Sequence, residues 1–379
     1  MKLAINGWRL RTRTGVARVL LNMIRHWTPD MVGDRFDEIT VYSPVALDPD
    51  LPIPANIRRQ VIGPDRRMLV WENTTLPWHV KEDVLLCPSY TRPLLSRART
   101  VTLTYEATQK LFPQYYPRSA RYLHTPLYGW SARNAAMVVT NTNEAREDII
   151  RAYKASPDRV EVMPLAPVDI FHTRYDKAQL DSVRQKYAGA DVPFFLYVGK
   201  LTARRNVPMI VEALAALKKR TGVPHRAVIV GLNTTGIDLD AQARALGIGG
   251  EVKYHSYVDD ADLAPLYSAA AAFVLPYTYE SAASLTLTEA QAAGAPVITT
   301  GTSGLREVAG TAALFTDEAQ PDQISRAMEK IATDHELAQR LSAEGVENAA
   351  RFSWEKSAEQ LLDALHRVAA DRAATRRPA

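Results

Sequence analysis

The chain has 379 residues, 46% of them apolar and 23% charged, with a formal net charge of +4. That length suits two ordinary domains, the composition is that of a soluble globular protein, and so small a net charge does not argue for nucleic acid. No apolar run approaches the roughly 18 residues that cross a bilayer, and the N-terminal MKLAINGWRLRTR holds too little apolar sequence for a secretory signal. The single Cys87 excludes an internal disulfide and belongs to no metal-type Cys/His spacing, so the expected compartment is the cytoplasm.

In chain order, Leu3-Ala4-Ile5 reads as a first strand. A polar loop with Gly7 and Gly15 follows, and then Val16, Val19, Leu20, Met23, Ile24 and Trp27 recur at helical spacing. A glycine ahead of a helix lets the backbone approach a phosphate, and Arg11 and Arg13 stand beside Gly15. Short apolar runs predict strands at 39–42, 84–87, 101–104 and 137–139, with Cys87 a buried core thiol. Thr142 or Asn143 caps the helix NEAREDIIRAY, and residues 159–163 form another strand. PLAPVDIFHTRYDKAQ, from Pro164, has two prolines and no period, and predicts an interdomain linker. Charge is uneven. Up to residue 170 there are 23 Lys and Arg against 17 Asp and Glu, a basic excess suited to phosphates or an anionic membrane face as well as to plain solvation.

The second half alternates cleanly. FFLYVG (194–199) is a strand, KLTARRN (200–206) a loop with three cations, and VPMIVEALAAL a helix with Pro208 in its first turn. AVIVG is a strand ending at Gly231, and helices at 238–246 and 260–269 flank a strand at 252–255. AAFVLP (271–276) is a buried strand, after which Ser284 caps a helix from Leu285, Gly294 stops it and Pro296 blocks its continuation. Glu280 then lies in the loop and Glu289 on the helix, beyond the carboxyl end of a strand, where open α/β sheets take ligands. A carboxylate there accepts two hydrogen bonds from the vicinal diol of a ribose. LTLT also alternates with period two, so a polar-faced strand competes with the helix. A loop and short helix at 301–310, a strand at 313–315 and helices from 321 to about 370 follow, and DRAATRRPA reads as a frayed basic end. Strands alternating with helices mean parallel sheet with right-handed crossovers.

TGVARVLLN, VVTNTNEAREDI, LYVGKLTARRNVPMIVEAL, TEAQAAGAPVITTGTSGLREVAG and RFSWEKSAEQLLDAL, in that order along nearly the whole chain, resemble the family-four retaining glycosyltransferases. The resemblance implies the GT-B fold, two Rossmann-like α/β domains facing across a cleft. Residues 1–170 would form the acceptor domain and 171–357 the donor domain, with the last helix, from about 358, crossing back to the first. It implies a nucleotide-sugar co-substrate, no cofactor and no obligatory metal. Lys200 and Arg205 match cations that grip the donor diphosphate, Glu289 matches the glutamate that binds the ribose, and Ser284, Leu285, Thr286 and Leu287 match the helix start whose N–H groups meet phosphate. Gly15 matches the loop that closes over the phosphates, and Tyr257 and Val258 lie where the chain passes the base.

Two departures from the family pattern bear on catalysis. Its two glutamates usually have seven residues between them, but Glu280 and Glu289 have eight, and Ser281 occupies the expected position. Either Glu280 still reaches the sugar from a lengthened loop, which is the favoured expectation, or the first acid is lost. Where the family commonly has His-Asp, this chain has Tyr105-Glu106. A phenol with a pKa near 10 is no base at neutral pH, so Glu106 is the better candidate for orienting the acceptor. The expected reaction is retaining transfer of a hexose from GDP-mannose or a UDP-hexose to a hydroxyl of a glycan or lipid-linked acceptor, as in surface-polysaccharide or lipopolysaccharide assembly. The basic first half adds peripheral contact with the inner membrane face as an option. The alternatives are a nucleotide-sugar epimerase and a non-catalytic nucleotide-sugar or glycan-binding protein.

Overall fold

The computed structural model describes residues 1–12, 14–317 and 319–376; Arg13, singled out above, and the last three residues of the basic tail lie outside the described residues. The chain divides into two compact units, one of Met1–Leu165 with the chain from Ser353 onward, the other of Ala166–Phe352.

The first unit is built on seven parallel strands: β1 Lys2–Asn6, β2 Glu38–Ser43, β3 Ile57–Val61, β4 Val84–Cys87, β5 Arg99–Leu103, β6 Met137–Thr140 and β7 Val160–Val162. Their order is β3-β2-β1-β4-β5-β6-β7. Leu3, Ala4 and Ile5 and all of β4 are fully buried, as expected of central parallel strands covered on both faces. Cys87 is among them, a buried free thiol. β3 carries no apolar run, because it is an edge strand that turns Arg58 and Arg59 to solvent, and sequence periodicity does not find it. The helix Trp354–Arg376 joins this unit. Trp27 Nε1 donates to Ala358 O at 2.9 Å, Ser357 Oγ to Pro164 O at 2.7 Å, and Leu361, Leu362 and Leu365 are fully buried. The helix runs past Ala370, through residues that read as frayed in the sequence.

The second unit has six parallel strands: β8 Phe194–Val198, β9 Arg226–Val230, β10 Val252–His255, β11 Ala272–Leu275, β12 Val297–Thr300 and β13 Leu314–Thr316. Their order is β10-β9-β8-β11-β12-β13. Phe194, Phe195, Leu196 and Tyr197 lie at the centre of its core. The Pro-rich segment after Leu165 is not wholly irregular: Asp176 and Gln179 form a reciprocal capping box that starts the helix Lys177–Val183. LTLT is helical, within Leu285–Ala292. In each unit the chain winds outward from its first strand, then crosses to that strand's other side. The order therefore reverses between β1 and β4 and again between β8 and β11, the places where doubly wound sheets bind ligands. Among the described residues no helix is long and apolar enough to cross a membrane.

Candidate functional site

β8 and β9 end in Gly199 and Gly231, with φ of 151° and 137°. A Cβ on Gly231 would stand 2.1 Å from Gly199 O, so only glycine lets the two strand ends pass this closely. Lys200 follows, exposed. A tight turn, Ala203–Arg205, closes on Asn206 in the left-handed region (φ 52°), and the helix Pro208–Thr221 begins two residues later. Asn206 thus shapes the helix entry.

The turn sends its two arginines to different tasks. Arg205 stays half-buried beside Tyr277, its guanidinium carbon 5.3 Å from the ring centroid, and donates to Lys200 O at 3.3 Å. Tyr277 foremost, and then Tyr197 and Glu280, raise its pKa above the ordinary value, against the opposing effect of burial. Arg204 turns inward. Its Nη1 donates to Glu280 Oε2 at 2.9 Å and to Tyr279 O at 2.7 Å, and Thr278 N donates back to Arg204 O at 3.1 Å. The side chains of Arg204 and Glu280 are 9% and 6% exposed. This buried ion pair joins the loop after β8 to the loop after β11, across the point where the strand order reverses.

Glu280 is therefore not simply presented to a ligand: Oε2 is held by Arg204, and Oε1 is buried without a hydrogen-bond partner. The loop is also fixed from β12. Thr300 Oγ1 donates to Tyr277 O at 2.7 Å, and a Cβ on Gly304 would lie 2.4 Å from Ser281 O. Ser281 is fully buried. Ser284 precedes the helix Leu285–Ala292, with its Oγ 3.0 Å from Thr286 Oγ1 and its carbonyl accepting from Leu287 N at 3.0 Å. The N–H of Leu287 is thus already engaged. Those of Leu285 and Thr286 belong to the first turn, which has no intrahelical acceptors. Glu289 lies on the buried side of this helix, 1% exposed, with Tyr267 Oη 3.4 Å from its Oε2. Tyr257, 56% exposed, follows β10 and donates to Asp260 Oδ1 at 3.1 Å, while Val258 is buried. The net result is local positive charge. Arg204 and Glu280 neutralise one another, which leaves the charges of Lys200 and Arg205 in the loop after β8, a setting suited to an anion.

In the first unit, Gly15 opens the helix Gly15–Ile24 with open space around it. Tyr105 and Glu106 follow β5 and are both half-buried. Tyr105 Oη donates to Pro88 O at 3.3 Å, and burial raises the phenol's pKa well above its ordinary value, which removes it further from any role as a base. Sequence reasoning missed Glu72, which is fully buried on the helix Met68–Thr74. Its Oε2 accepts from Asn6 Nδ2 at 2.9 Å and Thr91 Oγ1 at 3.1 Å, linking the ends of β1 and β4, and burial pushes its pKa up to about 7. Arg9 Nε donates to Ser89 Oγ at 2.9 Å across the same reversal point. Only the isolated acid in WEN could have signalled Glu72.

Comparison with known proteins adds the following. The family described as "Glycosyl transferases group 1" matches residues 181–348. The chain is 30% identical over 268 residues to O-antigen chain mannosyltransferase B of Escherichia coli, covering 70% of each chain. It is 29% identical over 236 residues to D-inositol 3-phosphate glycosyltransferase of Corynebacterium glutamicum, covering 60% of this chain but 56% of that protein. Among solved structures, HepE of Anabaena in complex with UDP and glucose superposes with a TM-score of 0.74 at 16% identity, covering 96% of this chain and 99% of that one. WaaG, a glycosyltransferase involved in lipopolysaccharide biosynthesis, gives 0.71 at 17% identity over the same shares. At these identities the structural likeness establishes the fold, GT-B.

Proposed function

Since the chain belongs to the group 1 glycosyl transferases, we propose that it moves a hexose from a nucleoside diphosphate donor, GDP-mannose or a UDP-hexose, to a hydroxyl of a glycan or lipid-linked saccharide. Transfer proceeds with retention at the anomeric carbon and without a metal. The observation that supports this reading is that the loop holding Lys200 and Arg205 follows β8 and the Leu285–Ala292 helix follows β11, the two neighbouring strands between which the order of the second sheet reverses. The mannosyltransferase relative supports a hexose donor.

In this reading the bond from the anomeric carbon to the diphosphate breaks and a bond to the acceptor oxygen forms on the same face. The departing phosphate takes the acceptor's proton. Negative charge grows on that phosphate, and Lys200, Arg205 and the N–H groups of Leu285 and Thr286 stabilise it as it grows. Glu289 takes the ribose hydroxyls, Tyr257 lies by the base, and Gly15 belongs to the loop over the phosphates. Glu106 orients the acceptor, with Tyr105 as a neutral hydrogen-bonding group. Glu280 is assigned to the sugar side of the site through the loop it fixes.

The test is release of nucleoside diphosphate, followed by mass spectrometry, from a panel of nucleotide sugars with and without saccharide acceptors. Arg205→Ala should lower turnover by about a hundredfold, the loss typical of one stabilising donor, and Glu289→Gln should lower it through weaker donor binding, since an amide accepts less well than a carboxylate from the ribose hydroxyls. Wild-type rates in both would remove this site. A second reading is favoured by one observation, the tying of Glu280 to Arg204: a protein that binds nucleotide sugars without transfer. Binding of the donor with no release under any acceptor would establish it.

A further inference from the structure

The loop after β1 carries an arginine that is firmly anchored and yet incompletely hydrogen-bonded. A tight turn, Trp8–Arg11, follows Gly7. Gly7 N donates to Tyr42 O at 2.8 Å, Leu10 N to Gly7 O at 3.0 Å, and Thr12 Oγ1 to Arg9 O at 2.8 Å, so the backbone around Arg9 is fixed. Its side chain is held at two points. Nε donates to Ser89 Oγ at 2.9 Å, and the guanidinium carbon lies 5.6 Å from the centroid of the Trp8 ring. Trp8 is anchored in turn, with Nε1 donating to Arg66 O at 3.0 Å. Neither Nη1 nor Nη2 of Arg9 has an acceptor among the described residues. Arg11, in the same turn, differs: both its Nη atoms engage Asp65, Nη2 donating to Oδ2 at 2.9 Å.

Arg9 follows β1 and Ser89 follows β4, so their contact lies where the strand order of the first sheet reverses, the position at which doubly wound sheets take ligands. The chain after β4 turns sharply there. Tyr90 has φ of 63°, in the left-handed region that bulky residues seldom adopt. Its two neighbours serve the two charged groups: Ser89 Oγ accepts from Arg9, and Thr91 Oγ1 donates to Glu72. Burial raises the pKa of Glu72, Tyr105 and Tyr128, and the charge of Arg9 acts against that rise in each. None of the three cancels the charge. Glu72 is fully buried and makes no ion pair with Arg9, and the raised phenols stay neutral. Tyr90 stacks on Tyr128 with ring centroids 4.8 Å apart and meets Tyr105 edge-on at 5.6 Å, so half-buried rings with polar tips adjoin the guanidinium.

We propose that Arg9 binds an oxyanion carried by the acceptor saccharide, a phosphate ester or a uronic carboxylate, and so makes the enzyme selective for acidic acceptors. A guanidinium already held at Nε and against a ring face has little freedom left to lose on binding, and its two Nη groups present the fork that grips an oxyanion bidentately. An acid suits it better than a neutral hydroxyl because its charge has no counterion. The segments 7–14 and 62–67 hold five arginines and one acid, Asp65, and Arg11 engages that acid. This deepens the proposed function: it rests on a saccharide acceptor and names that acceptor's chemical class.

The test is titration of the full chain with mannose 6-phosphate, glucuronate and mannose, followed by the sugars' proton resonances. GDP and UDP are both present, so that the loop of Lys200 and Arg205 is not left to take the phosphate. Wild type binds at least one of the two acids more tightly than mannose by about tenfold or more, the worth of hydrogen bonds to a charged group, and the tighter acid tells phosphate from carboxylate. Arg9→Gln removes that preference and leaves mannose unchanged. Arg9→Lys keeps part of the affinity for phosphate, for which a point charge serves, and less of that for carboxylate. Ser89→Ala, which removes the acceptor of Nε, gives a smaller loss and replaces Arg9→Gln if circular dichroism shows that variant unfolded. Arg67→Gln, at an exposed arginine, leaves all three sugars unchanged. Wild type that binds acids no better than mannose overturns the proposal, and so do equal losses in Arg9→Gln and Arg67→Gln, which would assign the effect to a diffuse basic surface. In turnover, Arg9→Gln raises KM for an acidic acceptor and not for its neutral counterpart. Acid binding through Arg9 with no nucleoside diphosphate released from any donor refutes the transferase reading alone. Turnover of a neutral acceptor without acid binding refutes the role of Arg9 alone.

Discussion

The ion pair between Arg204 and Glu280 separates two roles for the displaced glutamate. If Glu280 acts by holding the loop after β11 against the turn after β8, its charge matters only because Arg204 is opposite. Replacing Arg204 by Met leaves a carboxylate that is 6% exposed without its partner and removes the 2.7 Å bond to Tyr279 O. Breaking a buried pair from one side costs about 3–5 kcal/mol. For a unit of this size that lowers the unfolding midpoint by roughly 6–20 °C. Glu280→Gln should be milder, because a neutral amide still meets the guanidinium as an acceptor. Replacing both, as Arg204→Met/Glu280→Leu, exchanges the pair for apolar contact, which is commonly neutral or stabilising. Urea unfolding of wild type, Arg204→Met, Glu280→Leu and the double variant gives the coupling, and nucleoside diphosphate release gives activity. A positioning role predicts that each single variant loses turnover and that the double variant recovers both stability and much of the rate. A double variant that is stable but as inactive as Glu280→Gln would refute this reasoning and return Glu280 to direct contact with the sugar. Single variants with wild-type stability would refute it too.

Two further outcomes follow from buried contacts. Glu72 has an ordinary pKa of 4.5 that burial raises to about 7. The folded protein therefore holds a proton that the unfolded chain has lost, and stability falls as pH rises between those values, by up to about 3 kcal/mol, and is level above. Glu72→Gln should remove that slope in denaturant titrations; an unchanged slope would reject the assignment. His225 runs the opposite way, since burial, and then Lys218, lower its pKa to about 4. Its contribution is lost as pH falls from 6.5 through that value, but it is present in both proteins and cancels in the comparison. Gly304→Ala would place a Cβ 2.4 Å from Ser281 O. Relieving that overlap should cost about 1–3 kcal/mol and weaken donor binding by calorimetry. A variant that binds donor as wild type does would show that the loop tolerates displacement.

The strands were readable where they are buried on both faces, because FFLYV, AVIV and VLLC allow few other structures. β3 was not, because its arginines reach solvent from a sheet edge. The helix Thr125–Asn134 escaped notice for a related reason: its buried positions are Thr125, Gly129, Ser131 and Ala132, so no apolar stripe marks it. Lys200, Arg205 and the Leu285 helix start were legible as a pattern. That Arg204 turns inward while Arg205 does not depends on Glu280, 76 residues away, and no local spacing encodes it. Strand order is likewise a matter of distant pairings, so the reversal between β8 and β11, which gives the two loops a common location, became visible only in the fold.

The two sheets meet the same physical problem with different chemistry. Where strand order reverses, the loops from the two central strands diverge, and nothing in the backbone ladder holds them in register beyond the strand ends. Each unit places a buried carboxylate in that gap. In the second, Glu280 meets a guanidinium, so attraction holds the loops and the acid's charge is neutralised in place. In the first, Glu72 meets only the neutral donors Asn6 and Thr91, and burial dominates, which drives the acid toward its protonated form near neutral pH. The consequence is asymmetric. The donor-side loop should be insensitive to pH across the neutral range and sensitive to loss of either charged partner. The loops after β1 and β4 should loosen as pH rises through 7, where Glu72 ionises without a cation in contact. Amide exchange of residues 89–91 and 277–281, followed between pH 6 and 8 and corrected for intrinsic rate, reads both at once. Equal responses in the two segments would mean that the paired and unpaired acids do not differ in the way their surroundings require.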